Sequence, residues 1–220
     1  MDASSAPILL TLKVASLATV AAALIGIPLA RWIAHSRFWL RDWIDATLML
    51  PMVLPPTVLG YYLIVLVGRN GPLGHWLENT FGITLMFTWQ GAVIAATLVA
   101  LPLIYKAARA AFEDVEPSFE QAARLLGSHE IELFFRVTLP LASRGIVAGL
   151  MLTFARAMGE FGATLMIAGN LPGKTQTLSI AIYDAVQSGQ ESQALLLVGI
   201  ISALCIVVLL GSGRLLQARR

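Results

Sequence analysis

Glu120-Gln121-Ala122-Ala123-Arg124-Leu125-Leu126-Gly127, running on to Thr138-Leu139-Pro140, is the longest polar-interrupted stretch in a chain otherwise built of successive apolar runs. Pro117-Ser118 followed by Gln121 fits a capping box, with Ser118 as N-cap. Phe119, Ala122, Ala123 and Leu126 then recur at helical spacing and predict one apolar stripe. Gly127 ends that helix, and Ser128 is placed to cap a second one carrying Ile131, Phe134 and Phe135. Leu139-Pro140 then turns the chain into the next segment. The expectation is a knuckle of two short helices bent at a glycine, over about 114–140. Periodicity alone leaves two readings open: a passive connector at a membrane surface, or a dock for another protein.

The rest of the chain decides where this knuckle lies. Of 220 residues, 57% are apolar and 13% charged, whereas a water-soluble domain carries about twice that share of charge. Apolar runs over 7–30, 43–67, 84–105, 145–168 and 194–211 are each long enough to cross a hydrocarbon core of roughly 30 Å. The fold class is therefore an all-α membrane protein with about five transmembrane helices, organised as a single domain over 1–220. The lead Met1-Asp2-Ala3-Ser4-Ser5 lacks a basic n-region, so the first run reads as a retained span. Lys13 lies near the start of that run, where its stem can snorkel to the interface. Trp32, Trp39 and Trp43 fit an interfacial belt. Pro51, Pro55 and Pro56 predict a kink or break near the first third of the second span. A break there has to face protein or a water-filled path, because freed carbonyls need partners.

Cations are distributed unevenly over the connectors. Arg31, Arg37 and Arg41 follow the first span, Lys106, Arg109, Arg124, Arg136 and Arg144 flank the knuckle, and Arg214, Arg219 and Arg220 end the chain. The alternate loops hold only Arg69 and Lys174. This positive-inside asymmetry puts the N-terminus outside, and the C-terminus and knuckle in the cytoplasm. No internal repeat marks a carrier that works alone.

Chemistry-bearing residues are few. His35, His75 and His129 are scattered among loops, and Cys205, the single cysteine, sits in an apolar run, so neither a metal cluster nor a nucleophile constellation emerges. Ala168-Gly169-Asn170-Leu171-Pro172-Gly173-Lys174-Thr175 nearly matches a phosphate-cradling loop, but Ala168 replaces its first glycine, the context is a span end, and the loop lies outside. An enzyme and an internal ATPase are both disfavoured. Arg156 and Glu160 stand at i and i+4 within the fourth span, and Arg156 is the one permanent cation expected well inside a span. The pair reads either as part of a path or as a lock between helices.

Gln121-Ala122-Ala123, three residues, Gly127, then Leu139-Pro140 resembles the signature cytoplasmic loop of permease subunits in binding-protein-dependent ABC importers. Gln121 occupies the place where that family has glutamate, and Glu120 precedes it. Leu50 to Tyr61, Gly71-Pro72-Leu73-Gly74, Phe87-Thr88-Trp89, Ala155 to Thr164 and Gly169 to Thr177 resemble the molybdate branch, and sulfate permeases share the general plan. The resemblance implies a type I ABC importer permease fold in the bacterial cytoplasmic (inner) membrane. It further implies a homodimer with its path at the two-fold interface, two cytoplasmic ATPase subunits holding ATP and Mg, and an extracytoplasmic molybdate-binding protein. This chain itself is expected to hold no cofactor and to bind no nucleic acid, its surroundings being membrane lipid. The ATPase-coupling residues so implied are Glu120, Gln121, Ala122, Ala123, Gly127, Leu139 and Pro140; Arg156, Glu160, Pro55 and Pro56 are the path candidates. The alternatives are a sulfate or tungstate permease of the same family, and a stand-alone channel or secondary carrier.

Overall fold

The computed structural model describes residues 5–35 and 39–217, with side chains described as far as residue 211. The lead Met1-Asp2-Ala3-Ser4 and the cations Arg37, Arg219 and Arg220, with the Arg214 side chain, lie outside the described residues.

Three helices make the centre. α1 (Ser5–His35) buries Thr11, Ala15, Ala18, Ala22, Gly26 and Ala30, a stripe of small side chains spaced three or four apart. It packs on α5 (Trp89–Glu113), whose buried face is likewise rich in small residues: Ala92, Ala96, Ala100 and Ala108. Small residues are what membrane helices use to bring backbones together, since burial out of lipid supplies no hydrophobic drive. α8 (Leu139–Met158) closes on α5 in the same way. A Cβ on Gly149 would fall 2.5 Å from that of Ala107, and one on Gly145 2.6 Å from that of Ala111. Val14 and Ala18 of α1 meet Ala92 and Ala96 of α5 and Met158 of α8, while Ala30 and Ile33 meet Ala108, Phe112 and Ala142. Hence α1 and α5 run parallel and α8 antiparallel.

Among the described residues four helical stretches are long and apolar enough to cross a membrane, and α2 (Arg41–Val53) and α3 (Pro56–Val67) meet the same test only as a pair, which turns 111° at its junction. The bend falls at Leu54–Pro55, near the middle of the second span and beyond the expected first third. Pro51 is carried inside α2 without ending it. Pro55 holds Leu54 extended at ψ 143°, and Pro56 restarts the helix at its first turn. Two adjacent prolines do what one does not.

Other boundaries also move. Residues 106–113, expected in a polar loop, continue α5, because Arg109 and Glu113 find partners within the protein. The fourth crossing starts earlier than residue 145. It begins as α7 (Glu130–Leu133), passes through a π-helical turn, Phe134–Thr138, and continues as α8. It ends at Met158, and residues 162–168 form a separate short helix, α9 (Gly162–Ala168). The remaining elements are α4 (Pro72–Phe81), α6 (Pro117–Leu125), α10 (Leu178–Gln187) and α11 (Glu191–Gln217). α11 leans on α8 and α10 and turns Leu195, Leu196, Val207 and Leu210 outward, the apolar face that lipid requires. The Lys13 Nζ lies 3.5 Å over the ring of Trp89, the first residue of α5.

Candidate functional site

The knuckle forms, with different caps from those expected. α6 is capped by Glu116 with Pro117 at its first turn, and α7 by His129; neither Ser118 nor Ser128 serves as N-cap. Proline's fixed φ starts α6 without a side-chain cap. At the other end Gly127 takes φ +87°, its N–H bonding the Arg124 carbonyl, while the Ser128 N–H reaches back to the Ala123 carbonyl. This is the Schellman geometry that glycine permits. Leu139-Pro140 does not turn the chain. The Leu139 N–H instead bonds the Phe134 carbonyl five residues back, so a π-turn precedes the proline and the helix runs on.

The register of α6 divides its residues between two faces. Glu120 and Ala123 are buried, whereas Gln121 and Ala122 are exposed. Leu125 and Leu126, 88% and 87% exposed, project from the tip with Phe119 and Ile131 also bare. The expected stripe is thus split, Ala123 facing in and Phe119, Ala122 and Leu126 facing out. Bare apolar residues at the end of a polar segment suit either a protein partner or a membrane surface.

Glu120 is the hub that sequence reading did not foresee. It accepts a hydrogen bond from the Thr138 hydroxyl at 2.8 Å. Arg31 Nη2 lies 3.2 Å from it, Arg124 Nη2 3.5 Å and the His35 ring 3.6 Å. Burial opposes its ionisation, but the Thr138 hydrogen bond and the Arg31, His35 and Arg124 charges outweigh that and hold its carboxyl below the usual range. One carboxylate thereby ties α6 to the cytoplasmic end of α1 and to the π-turn below α8. Arg31 and His35, expected in the connector after the first span, lie on α1; the buried period of α1, continuing through Ala30 and Ile33, is the signal that they are helical. Arg124 also bonds Glu130 at 2.7 Å across the Gly127 turn.

The path candidates gather at a second place. Glu160 follows the end of α8, so the pair with Arg156 spans a helix break instead of lying on one helix. Arg156 Nη2 is 2.9 Å from one Glu160 oxygen, and the other accepts the Ala163 N–H at 3.0 Å, capping α9. Gly162 lies against Pro56, where a Cβ would come within 2.6 Å of the Pro56 Cβ. The two helix interruptions therefore meet, with Pro55 and Pro56 exposed beside them. Arg156 is not the most buried cation: its side chain is 38% exposed, against 18% for Arg31 and 12% for Arg109. Glu160 carries the burial.

In the loop that imitates a phosphate cradle, the Lys174, Thr175 and Gln176 N–H groups all bond the Leu171 carbonyl, and Thr175 braces Leu171 and Gly169. These amides are used internally. Among the described residues no cluster of metal-ligating side chains occurs.

Residues 22–220 match the family of binding-protein-dependent transport system inner membrane components. The chain belongs to that family. Across 97% of its length it is 44% identical to the molybdenum transport system permease protein ModB of Escherichia coli (strain K12), covering 93% of that protein. It is 41% identical to the putative molybdenum transport system permease protein YvgM of Bacillus subtilis (strain 168), over 86% of this chain and 83% of that one. In fold it is similar to the inward-facing MetNI methionine ABC transporter (TM-score 0.75, 17% identity, 96% of this chain and 94% of that one). It is also similar to a bacterial ABC transporter involved in the import of the acidic polysaccharide alginate (TM-score 0.75, 16% identity, 100% of this chain and 80% of that one). The fold is that of a type I ABC importer permease, and the chain is a multi-pass membrane component of this transport family.

Proposed function

We propose that this chain is the permease subunit of an ATP-driven importer carrying molybdate across the bacterial cytoplasmic membrane. The observation that carries the reading is the α6 tip. Its bare Leu125–Leu126 pair is held by the Gly127 turn on one side and by the Glu120 hub on the other. A rigid apolar knob on the positively charged face is suited to a groove in a cytoplasmic ATPase. In this reading two copies form a homodimer around the path, two ATPase subunits hold ATP and Mg, and an extracytoplasmic binding protein delivers molybdate. Gln121 and Ala122 face the ATPase, Ala123 and Glu120 set the angle of α6, and Leu139 and Pro140 lead motion into α8. ATPase closure displaces α6, tilts the spans and switches access between the two sides. Molybdate as substrate rests on the molybdenum permeases that the chain resembles over nearly its whole length.

Uptake of radiolabelled molybdate into proteoliposomes holding the full complex tests this directly. ATP-dependent accumulation that excess tungstate suppresses and excess sulfate does not is the expected result. Sulfate competing equally would make this a general oxyanion permease, and accumulation without ATP would make it a channel or carrier.

Arg156 has a separate test. If it lines the path, Arg156→Gln lowers uptake about tenfold, the order expected for losing one hydrogen bond to a charged group. The double variant Arg156→Gln/Glu160→Gln then stays impaired. Recovery in the double variant would make the pair a lock between helices.

A further inference from the structure

The two halves of the bent crossing belong to different packing clusters. α3 places Leu59, Leu63 and Val67 against Ala163 and Ile167 of α9 and against Ala95 and Val99 in the first half of α5, whereas α2 meets the last half of α5. α2 has no fully buried residue; Ile44, Leu48 and Met49 only edge the cluster made by α1, α5 and α8. Charge is what fastens it. Asp45 of α2 accepts hydrogen bonds from Arg109 and Tyr105 of α5. Arg41, also of α2, meets Glu113 at 2.5 Å, and Arg109 Nε lies 2.9 Å from the same carboxylate. Two guanidinium groups and two carboxylates thus balance around a Tyr105 side chain that is wholly buried. Glu113 is the last residue of α5, and only Asp114, Val115 and Glu116 separate it from α6.

We infer that Asp45, Arg109 and Tyr105 are positioning residues that make α2 travel with the coupling helix. Displacement of α6 passes through the end of α5 into the charge cluster and swings α2 about Leu54–Pro55, against an α3 that stays with α9. The cluster, more than the thin apolar contact of α2, sets how much of the stroke reaches the junction beside Pro56 and Glu160. The inference rests on the coupling role proposed for α6 and adds residues outside that surface.

The test uses the complete complex in proteoliposomes, with radiolabelled molybdate and the loaded binding protein. Asp45→Asn is expected to lower uptake per ATP hydrolysed about tenfold, within the range of coupling free energies between linked sites. Asp45→Glu, which keeps the charge, restores the ratio. Spin labels at positions 46 and 110 should keep their separation between nucleotide-free and ATP-bound complex, while labels at 46 and 65 change theirs. An unchanged uptake ratio in Asp45→Asn, or a 46–110 separation that shifts as much as 46–65, overturns the inference. Wild-type complex that neither hydrolyses ATP nor takes up molybdate indicts the proposed function instead, and the two failures are distinguishable.

Discussion

Replacing Ala123 by tryptophan is expected to abolish ATP-driven molybdate uptake while leaving the chain inserted in the membrane. Ala123 is one of only two buried residues on α6, and it lies on the same face as Glu120. Ala123 is 8% exposed, so a large ring there has to displace its neighbours. Overpacking of a fitted site costs about 1–3 kcal/mol, and α6 can relieve it by lifting off the π-turn. Leu125 and Leu126 would then be displaced from the position that the ATPase must meet. Because α6 lies outside the spans, the α1–α5–α8 contacts of small residues are untouched, so insertion is spared. Gly127→Val is the companion case and works by conformation alone. Nothing lies within 4 Å of the added Cβ, but φ +87° is a region that a side-chain-bearing residue enters at about 1–2 kcal/mol. The measurements are uptake, ATP hydrolysis and the amount of ATPase co-purifying. Full uptake by the Ala123→Trp complex would contradict the role given to this helix.

Glu120→Ala should have the second largest effect, through a different cause. The substitution removes the acceptor for Thr138 and leaves Arg31, only 18% exposed, without its carboxylate. Losing a hydrogen bond to a charged group costs about 2 kcal/mol, and here the loss frees α6 from both α1 and the base of α8. Uptake should fall steeply while the ATPase turns over unproductively. Acidification mimics the variant with a definite sign. Since the folded-state pKa of Glu120 is lowered, its contribution is complete above the ordinary glutamate value and disappears as pH falls through the lowered one. The wild-type seat should therefore loosen only below the normal glutamate range, which α6-specific labelling in detergent can follow. Glu120→Ala should show no such acid step. Equal acid sensitivity in wild type and variant would place the titrating group elsewhere.

How much of this was legible beforehand divides along physical lines. Long apolar runs and unevenly placed cations are properties of the sequence alone, and they give five crossings, the sidedness and the knuckle. The type I permease fold and its four to five candidate spans agree with the crossings. The Arg156–Glu160 pair was legible from its spacing, but charged residues in the polar connectors were misjudged where they pair with one another. Arg31 and Arg109 were counted as connector cations, and each makes an internal contact between segments far apart in the chain, with Glu120 and Asp45 respectively. Helix ends were misjudged for the same reason: α1 reaches His35 and α5 reaches Glu113 because their last charges have partners. Two adjacent prolines were expected to break a helix, but the partner break at Gly159–Phe161 was hidden inside an apolar run. It depends on Glu160 turning its carboxylate onto the Ala163 N–H, which no periodicity reports. Spacing carried the knuckle despite the glutamine at 121, since Gln121 sits outside and Glu120 inside.

The most direct test of the account is site-specific cross-linking from the knuckle in the assembled complex. A photoreactive side chain at position 126, on the bare tip, should couple this chain to the ATPase subunit. The same group at position 120 should give only internal adducts with α1 or the base of α8. Cross-links to the ATPase from position 120, or none from position 126, would contradict the account.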